Sequence, residues 1–507
     1  MNVRMLQRFK KIKDVTSSVL SVFSVETNHL HTYPNFTKNT FDVDRGPYRS
    51  LEEHHLTYFR DVLGENGLVV DLCDLEKYNV DFMKHLRGGS TLVLRPTATE
   101  QVSKILSFCN HHHLAVCTQG GNTGICGGAT PIFDEIILSM ELMNKIIHLD
   151  ELSSVLTCEA GCVLENLDHY LNERNLMMPI DLGAKGSCHI GGNISTNAGG
   201  IRLYRYGNLQ GNILGLEVVK ANGEILNCMN TLKKDNTGFH LKHLFIGSEG
   251  TLGIITKAAI QCVPKPKSVK LLFLGAQNFT KILKAFNKAR HDLGEIISAV
   301  EVMDHQTMEM VEEYTDLSSP IGRYPIYLII ETSGSDETHD EEKLNRYFES
   351  CMDKHFILNG VVASSTTQIQ KLWSIREKIA ESFYKDGYVF SYDISLPLPS
   401  YYDFVTEMRH YMGEKSHRVF GFGHLGDGNL HLQISVKEFS KEILDYIEPH
   451  IYKRVEELKG SISAEHGIGF LKRKYLPMIK SSVNISTMRN LKNLMDPKGI
   501  LNPYKVL

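Results

Sequence analysis

The 507-residue sequence lacks long apolar runs and carries only a small net charge. No stretch of 18 apolar residues is present, so a membrane-spanning helix is not expected. The net charge is −4, which provides no basic field for binding nucleic acid. The ten cysteines are scattered, form no CxxC pair and stop at Cys351. This distribution predicts free thiols in a reducing compartment.

The overall composition, with 42% hydrophobic and 22% charged residues, is typical of a globular protein. A chain of this length is too long to fold around a single hydrophobic core, so two or three domains are predicted. Strand and helix patterns alternate from about residue 85, and a basic, proline-containing stretch at 264–267 marks a candidate domain boundary.

Several segments carry specific signals for secondary structure. Strands are predicted at 91–94, 114–116 and 326–330, and a hairpin at 213–227 is predicted to turn at Asn222-Gly223. Apolar residues at helical spacing predict three helices, through Leu51, Leu56, Phe59 and Val62, through Val102, Ile105, Leu106 and Cys109, and through Leu372, Ile375, Ile379 and Phe383.

The first 25 residues differ from the rest of the chain in composition. They contain five basic residues, one acid at Asp14 and several serines. A basic, acid-poor start of this kind predicts a mitochondrial transit peptide at 1–25, with a disordered basic tail as the alternative. Residues 26–50 show no periodicity and are predicted to link this segment to the fold.

Three glycine-rich segments, at 119–128, 181–200 and 246–256, stand out in the first half of the chain. The first follows a predicted strand, and its consecutive N–H groups can form an anion nest. It is neither a P-loop nor a Rossmann fingerprint, because the GK[ST] and GxGxxG spacings are missing. The glycine density of 181–200 argues against a packed strand or helix and suits backbone wrapped around a flat, phosphate-bearing cofactor.

Two segments near the C-terminus carry a candidate metal site. GHLGDGNLHL at 423–432 and SAEHGIG at 463–469 offer His424, His431 and Glu465 as ligands. Two imidazoles and a carboxylate suit catalytic zinc, although manganese or cobalt would also bind. Gly426 and Gly428 argue against a plain helix, so a tight turn is predicted between the histidines. Structural histidines without a metal are the alternative.

His466, next to Glu465, is the candidate general base because imidazole titrates near working pH. The alternative is that His466 only orients Glu465. A metal beside this base could polarise a bound hydroxyl and lower its pKa.

The glycine-rich segments, in this order after Arg95-Pro96-Thr97, resemble the FAD-binding domain of the vanillyl-alcohol-oxidase family. Together with the two histidine segments and DPKGILNP at 496–503, they resemble the FAD-linked D-2-hydroxyacid dehydrogenases. The resemblance covers the chain from about residue 45 to the C-terminus. It implies an α+β fold whose two-lobed PCMH-type FAD-binding domain spans 51–265. An antiparallel-sheet α+β substrate (cap) domain with the metal site would span 266–480, and 481–507 would dock on the FAD-binding domain.

The same resemblance implies tightly bound, non-covalent FAD, since no clear covalent-attachment histidine is present. Loop 119–124 would hold the pyrophosphate, the next two segments would line adenine and flavin, and the C-terminal tail would return to the isoalloxazine. The implied cofactor-binding residues are Gly120, Gly121, Asn122, Thr123, Gly124, Gly183, Ser187, Gly191, Gly192, Thr196, Ala198, Gly199, Glu249, Gly253, Ile255 and Asn502.

The implied reaction is oxidation of D-2-hydroxyglutarate to 2-oxoglutarate in the mitochondrial matrix. Electrons would pass from FAD to electron transfer flavoprotein. The oligomeric state is open, with a homodimer as one option. Arg376 would clamp the substrate carboxylate through paired hydrogen bonds; on sequence alone, a solvated surface arginine is the alternative.

Three positions of the implied substrate shell depart from the family pattern. Ala380 replaces the usual threonine, Ser391 the usual lysine and Gln433 the usual asparagine. Ala380 is expected to share a helix face with Arg376, and Ser391 to point away from the aromatic residues beside it in the strand. The alternatives are therefore the same chemistry on another D-2-hydroxy acid (D-lactate or D-malate), an oxidase that uses oxygen directly, or a weakly catalytic flavin-binding protein.

Overall fold

The computed structural model describes residues 36–507 of the chain. The predicted transit peptide at 1–25 and the first part of the predicted linker lie outside the described residues. Over the described part, the protein combines one mixed sheet, two antiparallel sheets and a short two-stranded ribbon with helices packed on them. This arrangement confirms the predicted α+β class.

The first lobe, up to about residue 140, is built on a four-stranded sheet of order β1-β2-β4-β3, in which β4 runs parallel to both β2 and β3. Its helices bury the apolar stripes predicted from the sequence, including that of Phe59 against Leu106 and Val116. The elements are α1 (Glu53–Leu63), β1 (Leu68–Val69), α2 (Leu72–Asn79), β2 (Val93–Leu94), α3 (Thr99–His112), β3 (Val116–Gln119) and β4 (Ile136–Ser139).

The second lobe is a five-stranded antiparallel sheet of order β5-β6-β10-β8-β9 with its own core. The predicted hairpin is confirmed as β8–β9, and Gly223 adopts φ +88°, which glycine permits. The elements are β5 (Ile146–Asp150), β6 (Val155–Glu159), α4 (Leu164–Asn172), β7 (Leu176–Met177), α5 (Ile190–Thr196), α6 (Leu203–Tyr206), α7 (Leu209–Asn212), β8 (Ile213–Val219), β9 (Ile225–Cys228), β10 (Ile254–Gln261) and β11 (Val263–Pro264), which pairs with β7.

Helix α5 corrects the expectation that segment 181–200 contains no packed helix. Gly191 lies against Ala160 so closely that an added Cβ would fall 2.6 Å from the alanine Cβ. Its N–H also donates to the Ala160 carbonyl at 2.8 Å. The glycines therefore let a short helix approach the sheet, a use of glycine that density alone does not reveal.

The third unit is a seven-stranded antiparallel sheet of order β15-β12-β14-β13-β17-β18-β16. Its two faces are covered by separate core clusters, so the sheet is buried on both sides. The elements are β12 (Ser268–Ala276), α8 (Phe279–Asp292), β13 (Ile297–Asp304), α9 (His305–Tyr314), β14 (Ile326–Gly334), α10 (Glu337–Asp353), β15 (Asn359–Ala363), α11 (Thr366–Glu377), α12 (Ile379–Asp386), β16 (Tyr388–Ser395), α13 (Tyr401–Met412), β17 (Arg418–His424), β18 (Asn429–Val436) and α14 (Lys441–Glu457).

The single helix predicted through Leu372 and Phe383 is wrong in one respect, because the structure divides it into α11 and α12 at Lys378. All four predicted apolar side chains still reach the same core cluster. The helical spacing therefore continues across the joint, and the pattern does not show the break. Arg376 and Ala380 consequently lie on two helices and do not share one helix face.

The C-terminal part adds α15 (Leu476–Ile479) and α16 (Ser482–Met495) and then returns to the first lobe. There Leu501 bridges Val116 in parallel, and the Asn502 N–H donates to the Val116 carbonyl at 2.8 Å. No helix in the described range 36–507 combines the length and apolarity needed to cross a bilayer.

Candidate active site

The β17–β18 hairpin brings His424 and His431 together. Phe422 pairs with His431 and His424 pairs with Asn429 in the register, so the two histidines are diagonal neighbours on one face. The connection turns at Gly428, whose φ is +80°. This is the tight turn predicted from the glycine spacing.

The two imidazoles and Glu465 form a compact group, which we call the ligand cluster. Glu465 Oε1 lies 3.8 Å from His424 Nε2 and 3.9 Å from His431 Nε2. One donor atom from each of the three residues falls within 4.8 Å of the others. Two imidazoles and one carboxylate at this spacing can hold a divalent cation and leave a coordination position open.

Buried carboxylates stand behind both imidazoles. His424 Nδ1 is 2.5 Å from Glu301 Oε1, and His431 Nδ1 is 3.8 Å from Asp393 Oδ1. Of the two, only Glu301 is within hydrogen-bond distance, and a carboxylate that holds Nδ1–H in this way directs the lone pair of His424 Nε2 towards a metal. The donor set therefore fits a divalent cation in chemistry as well as in spacing.

The ionisation of two of the three ligands suits this role. Burial opposes charge on Glu465, but His424 and then His466 outweigh it and lower the Glu465 pKa to about 2. Burial, and then the charge of His424, lower the pKa of His431 to about 3. Burial also opposes charge on His424, but Glu301 and then Glu465 outweigh it and raise the His424 pKa well above its usual value. A metal that binds there would therefore displace a proton from His424.

Loop 463–469 is fixed at both ends by carboxylates. Asp393 Oδ2 accepts the backbone N–H groups of Ala464, Glu465 and His466 at 3.0–3.1 Å. Glu249, from the second lobe, accepts those of Ile468 and Gly469 at 2.8 Å. The loop carrying Glu465 and His466 is thus held between the cap sheet and the lobes.

A cavity, which we call the lobe cavity, lies between the two lobes. Twelve of the sixteen predicted cofactor residues line it, as do residues that the sequence reading missed, such as Thr118 and His189. Those twelve are Gly120, Gly121, Asn122, Thr123, Gly124, Gly191, Gly192, Thr196, Glu249, Gly253, Ile255 and Asn502.

The glycines of the lobe cavity have two distinct functions. At Gly124 and Gly192 an added Cβ would meet nothing within 4 Å, so the missing side chains leave open space for a ligand. At Gly121 an added Cβ would fall 1.9 Å from the Ser187 carbonyl oxygen, so the two backbone segments could not approach. Open space walled by backbone fits a large cofactor such as FAD.

The remaining four predicted cofactor residues do not line the lobe cavity. Ser187 supports the first glycine loop through its backbone, and Gly183 has no atom within 4 Å of an added Cβ. Ala198 is buried, and the Cβ site of Gly199 is 3.8 Å from Glu465 Oε2. The end of segment 181–200 therefore approaches the ligand cluster.

A second cavity of about 210 Å³, which we call the recognition cavity, adjoins the ligand cluster. Ala380, Ser391 and Gln433, the three positions that depart from the family pattern, all line it. As predicted, Ser391 is exposed while Phe390 and Tyr392 are buried. The full lining is Phe82, Met83, His85, Ile125, Ala380, Phe383, Tyr384, Gly387, Tyr388, Val389, Ser391, Phe422, His431, Gln433 and His466.

Arg376 is mostly buried and not a solvated surface residue, with 13% of its side chain exposed. Its Nε donates to Glu301 Oε2 at 2.7 Å, and its Cζ lies 4.5 Å from the centre of the Phe422 ring. Burial opposes charge on Glu301, but His424 and Arg376 outweigh it and lower the Glu301 pKa. Glu301 thus joins the arginine to the ligand cluster.

The sequence reading missed Glu301 and Asp393. Both are buried acids in strands, at β13 and β16. A buried carboxylate requires a partner, so an acid within an apolar strand is the signal that could have found them. The partner of each acid depends on the order of the strands in the sheet, and this order could not be predicted from the sequence.

Comparison with known proteins assigns the chain to a class. The family model described as "FAD binding domain" matches residues 90–229, and the one described as "FAD linked oxidases, C-terminal domain" matches residues 265–506. Together the matches span well over half of the chain. The chain therefore belongs to the family of FAD-linked oxidases.

Relatives of known name refine this assignment. The chain is 51% identical to "D-2-hydroxyglutarate dehydrogenase, mitochondrial" of Danio rerio, over 91% of this chain and 87% of that protein. It is 44% identical to "Putative D-lactate dehydrogenase C713.03, mitochondrial" of Schizosaccharomyces pombe, over 93% and 94%. The protein is accordingly a FAD-dependent oxidoreductase that acts on a hydroxy acid.

Solved structures agree on the fold. Alkyldihydroxyacetonephosphate synthase superposes with a TM-score of 0.72 at 17% identity, over 95% of this chain and 90% of that one. At this identity the likeness shows a common fold, which confirms the predicted α+β fold class.

Proposed function

We propose that the protein oxidises a D-2-hydroxy acid to the 2-oxo acid at the junction of the lobe cavity and the recognition cavity, with a divalent metal in the ligand cluster. The observation that carries the proposal is the position of His466, which lines both cavities. Its Nε2 is 3.7 Å from Glu465 Oε1. A base there would stand beside both a cofactor and a bound hydroxyl.

In this proposal non-covalent FAD occupies the lobe cavity, where it would supply the acceptor for the C2 hydride. Gly120 to Gly124 would surround its pyrophosphate with backbone N–H groups, and Asn502 would contact the ring system. Asn502 is buried and held by its Nδ2, which donates to the Glu249 carbonyl at 2.7 Å. The sixteen predicted cofactor residues remain part of this proposal.

Zinc is the metal proposed for His424, His431 and Glu465, with manganese or cobalt as substitutes, and it would polarise the substrate hydroxyl. Glu301 would keep the His424 imidazole oriented, and Asp393 would hold the backbone of the loop that carries Glu465. Glu465 is positioned by a further contact, because its Oε2 accepts the Gly200 N–H at 3.1 Å.

The chain's own residues account for binding and proton movement. The Nη groups of Arg376 would hold the substrate carboxylate, while its Nε stays with Glu301. His466 would take the hydroxyl proton, and the C2 hydrogen would leave with its electron pair towards the lobe cavity. One proton and one hydride leave, which converts the hydroxy acid to the oxo acid and balances the two electrons.

D-2-hydroxyglutarate is the first substrate to consider, because the Danio rerio relative is named for it. A second candidate is a D-2-hydroxy acid without a second carboxylate. It is favoured by Ala380, Ser391 and Gln433, which replace threonine, lysine and asparagine in the implied substrate shell. The Schizosaccharomyces pombe relative is named for D-lactate, which has a single carboxylate, and this name supports the second candidate.

Electron transfer flavoprotein is the proposed acceptor, and the mitochondrial matrix the proposed location. The location is supported by relatives named as mitochondrial and by the basic N-terminal sequence. A homodimer is compatible with the proposal and is not required by it.

The test is an anaerobic flavin-reduction screen over D-2-hydroxy acids, combined with metal analysis of the same sample. Bleaching of the flavin by a D acid, and not by its L enantiomer, is expected, together with about one divalent metal per chain. A flavin that no 2-hydroxy acid reduces, or full reduction after complete removal of metal, would contradict the proposal.

A further inference from the structure

The recognition cavity is built from apolar and aromatic side chains. Besides His431, Gln433 and His466, its lining includes Ile125, Phe383 and Phe422. At the mouth, Met83 from the first lobe accepts a hydrogen bond from the Tyr384 hydroxyl at 3.5 Å. Two domains thus enclose one mostly apolar space.

No lysine or arginine is present among the described residues that line this cavity. The nearest guanidinium, that of Arg376, lies over Phe422 and is bound to Glu301. The lining histidine His85 has its pKa lowered by burial to about 4, so it is neutral at pH 7. The cations of this site, Arg376 and the proposed metal, lie at the reacting end, where they would hold the first carboxylate and the hydroxyl. Within the described part of the chain, no lysine or arginine lines the rest of the cavity to pair with a second carboxylate.

A second carboxylate in such a cavity would lose its water without gaining a charged partner, which is costly. An apolar side chain would lose contact with water at the same surfaces and gain free energy. The cavity volume of about 210 Å³ also exceeds what a methyl group fills. Lactate would therefore fill little of the recognition cavity. The second carboxylate of 2-hydroxyglutarate would meet its apolar walls.

We propose that the acid oxidised at this site carries an apolar side chain larger than methyl, branched or aromatic, which occupies the recognition cavity. This inference rests on the proposed function and specifies its substrate class. The carboxylate and hydroxyl would remain at Arg376, His466 and the ligand cluster. Gln433, whose buried Oε1 has no hydrogen-bond partner in the described structure, would accept from a polar hydrogen at that end.

The experiment compares four D acids with the FAD-loaded, metal-loaded enzyme: 2-hydroxyglutarate, lactate, 2-hydroxy-4-methylpentanoate and phenyllactate. Anaerobic flavin bleaching gives the rate, and calorimetry gives the binding of the matching 2-oxo acids. We expect kcat/KM to be at least tenfold higher for 2-hydroxy-4-methylpentanoate or phenyllactate than for the other two, since one methylene is worth about 10- to 200-fold in an apolar pocket. Oxo-acid affinities should follow the same order.

Ser391→Lys and Ser391→Met are the matched variants, because methionine approximates the length of lysine without the charge. Ser391→Lys should shift preference towards 2-hydroxyglutarate at least tenfold, and Ser391→Met should not. If the unmodified enzyme prefers 2-hydroxyglutarate or lactate, the inference is wrong and the proposed function stands. If no acid reduces the flavin, the proposed function itself fails and the inference with it.

Discussion

The ligand cluster and the recognition cavity share His431 but solve opposite physical problems. In the cluster, buried charges are paired: Glu301 faces His424 and Arg376, and Asp393 faces His431 and three backbone N–H groups. In the cavity, the surfaces are apolar and the lining histidine His85 is neutral at pH 7. A paired network tolerates little change, because removal of one partner leaves a buried charge. An apolar surface tolerates exchange of side chains at small cost. The chemistry is therefore the constrained half of this site, and the substrate range is the adjustable half.

The largest effect is expected from His431→Ala, which removes one of three ligands. Turnover should fall by about three orders of magnitude or more, in line with the several kcal/mol that a metal contributes to such a step. FAD should remain bound, since the lobe cavity does not include His431. Metal content and the flavin spectrum of purified variant measure the two outcomes.

His410→Ala, on an exposed position of α13, is the control for loss of a histidine. It should keep both metal and activity. If the His431→Ala protein retains its metal and its turnover rate, His431 is not a required ligand. The ligand cluster would then be no more sensitive to substitution than the recognition cavity.

Glu301→Gln should weaken the ligand cluster without removing a ligand. The amide cannot match the charge of the carboxylate that holds His424 Nδ1 and Arg376 Nε. Metal affinity should fall about 10- to 100-fold, and KM for the hydroxy acid should rise because Arg376 loses its anchor. Competition with a chromophoric chelator measures the metal affinity, and steady-state kinetics measure KM separately.

The matched change is Glu381→Gln, which disrupts an exposed ion pair with Lys378. It should leave metal affinity and KM unaltered, because surface pairs contribute little. Equal effects from the two substitutions would show that Glu301 has no special role in positioning.

This contrast also explains which features could be read from the sequence. His424, His431 and the first glycine loop follow local rules of turn geometry and ligand type. Glu465 was found by its ligand type within a separate motif at 463–469. Glu301 and Asp393 gain their meaning only from the order of strands in the cap sheet, which places β13 beside β17 and β16 beside β18. The joint at Lys378 escaped notice because apolar spacing continues across it. The apolar character of the recognition cavity escaped notice because its walls come from segments 82–85, 125 and 380–391, far apart in the chain.

Ala380→Thr tests the adjustable half with a smaller expected effect. The substitution restores the hydroxyl that is usual in the family to a wall that is otherwise apolar. If the substrate side chain is apolar, kcat/KM for it should fall roughly fivefold, since a hydroxyl against an apolar group costs about 1 kcal/mol. Ala380→Val, which has the same shape without the hydroxyl, should change this value less. A larger loss for valine than for threonine would mean that size, and not polarity, governs this position.

A dependence of stability on pH is expected through His85 in the recognition cavity. Burial lowers its pKa in the folded protein to about 4 from an ordinary value of 6.5, so below pH 6.5 the unfolded chain binds a proton that the folded protein does not. The stabilising contribution is therefore complete above pH 6.5 and declines as the pH falls towards 4, by at most about 1.4 kcal/mol per pH unit. His85→Gln removes this titration, so the difference in thermal stability between the variant and the unmodified protein should narrow or change sign from pH 7.5 to pH 5. Thermal unfolding at matched ionic strength measures it, and a difference that does not vary with pH would mean that this cavity accepts charge, which would weaken the case for an apolar substrate.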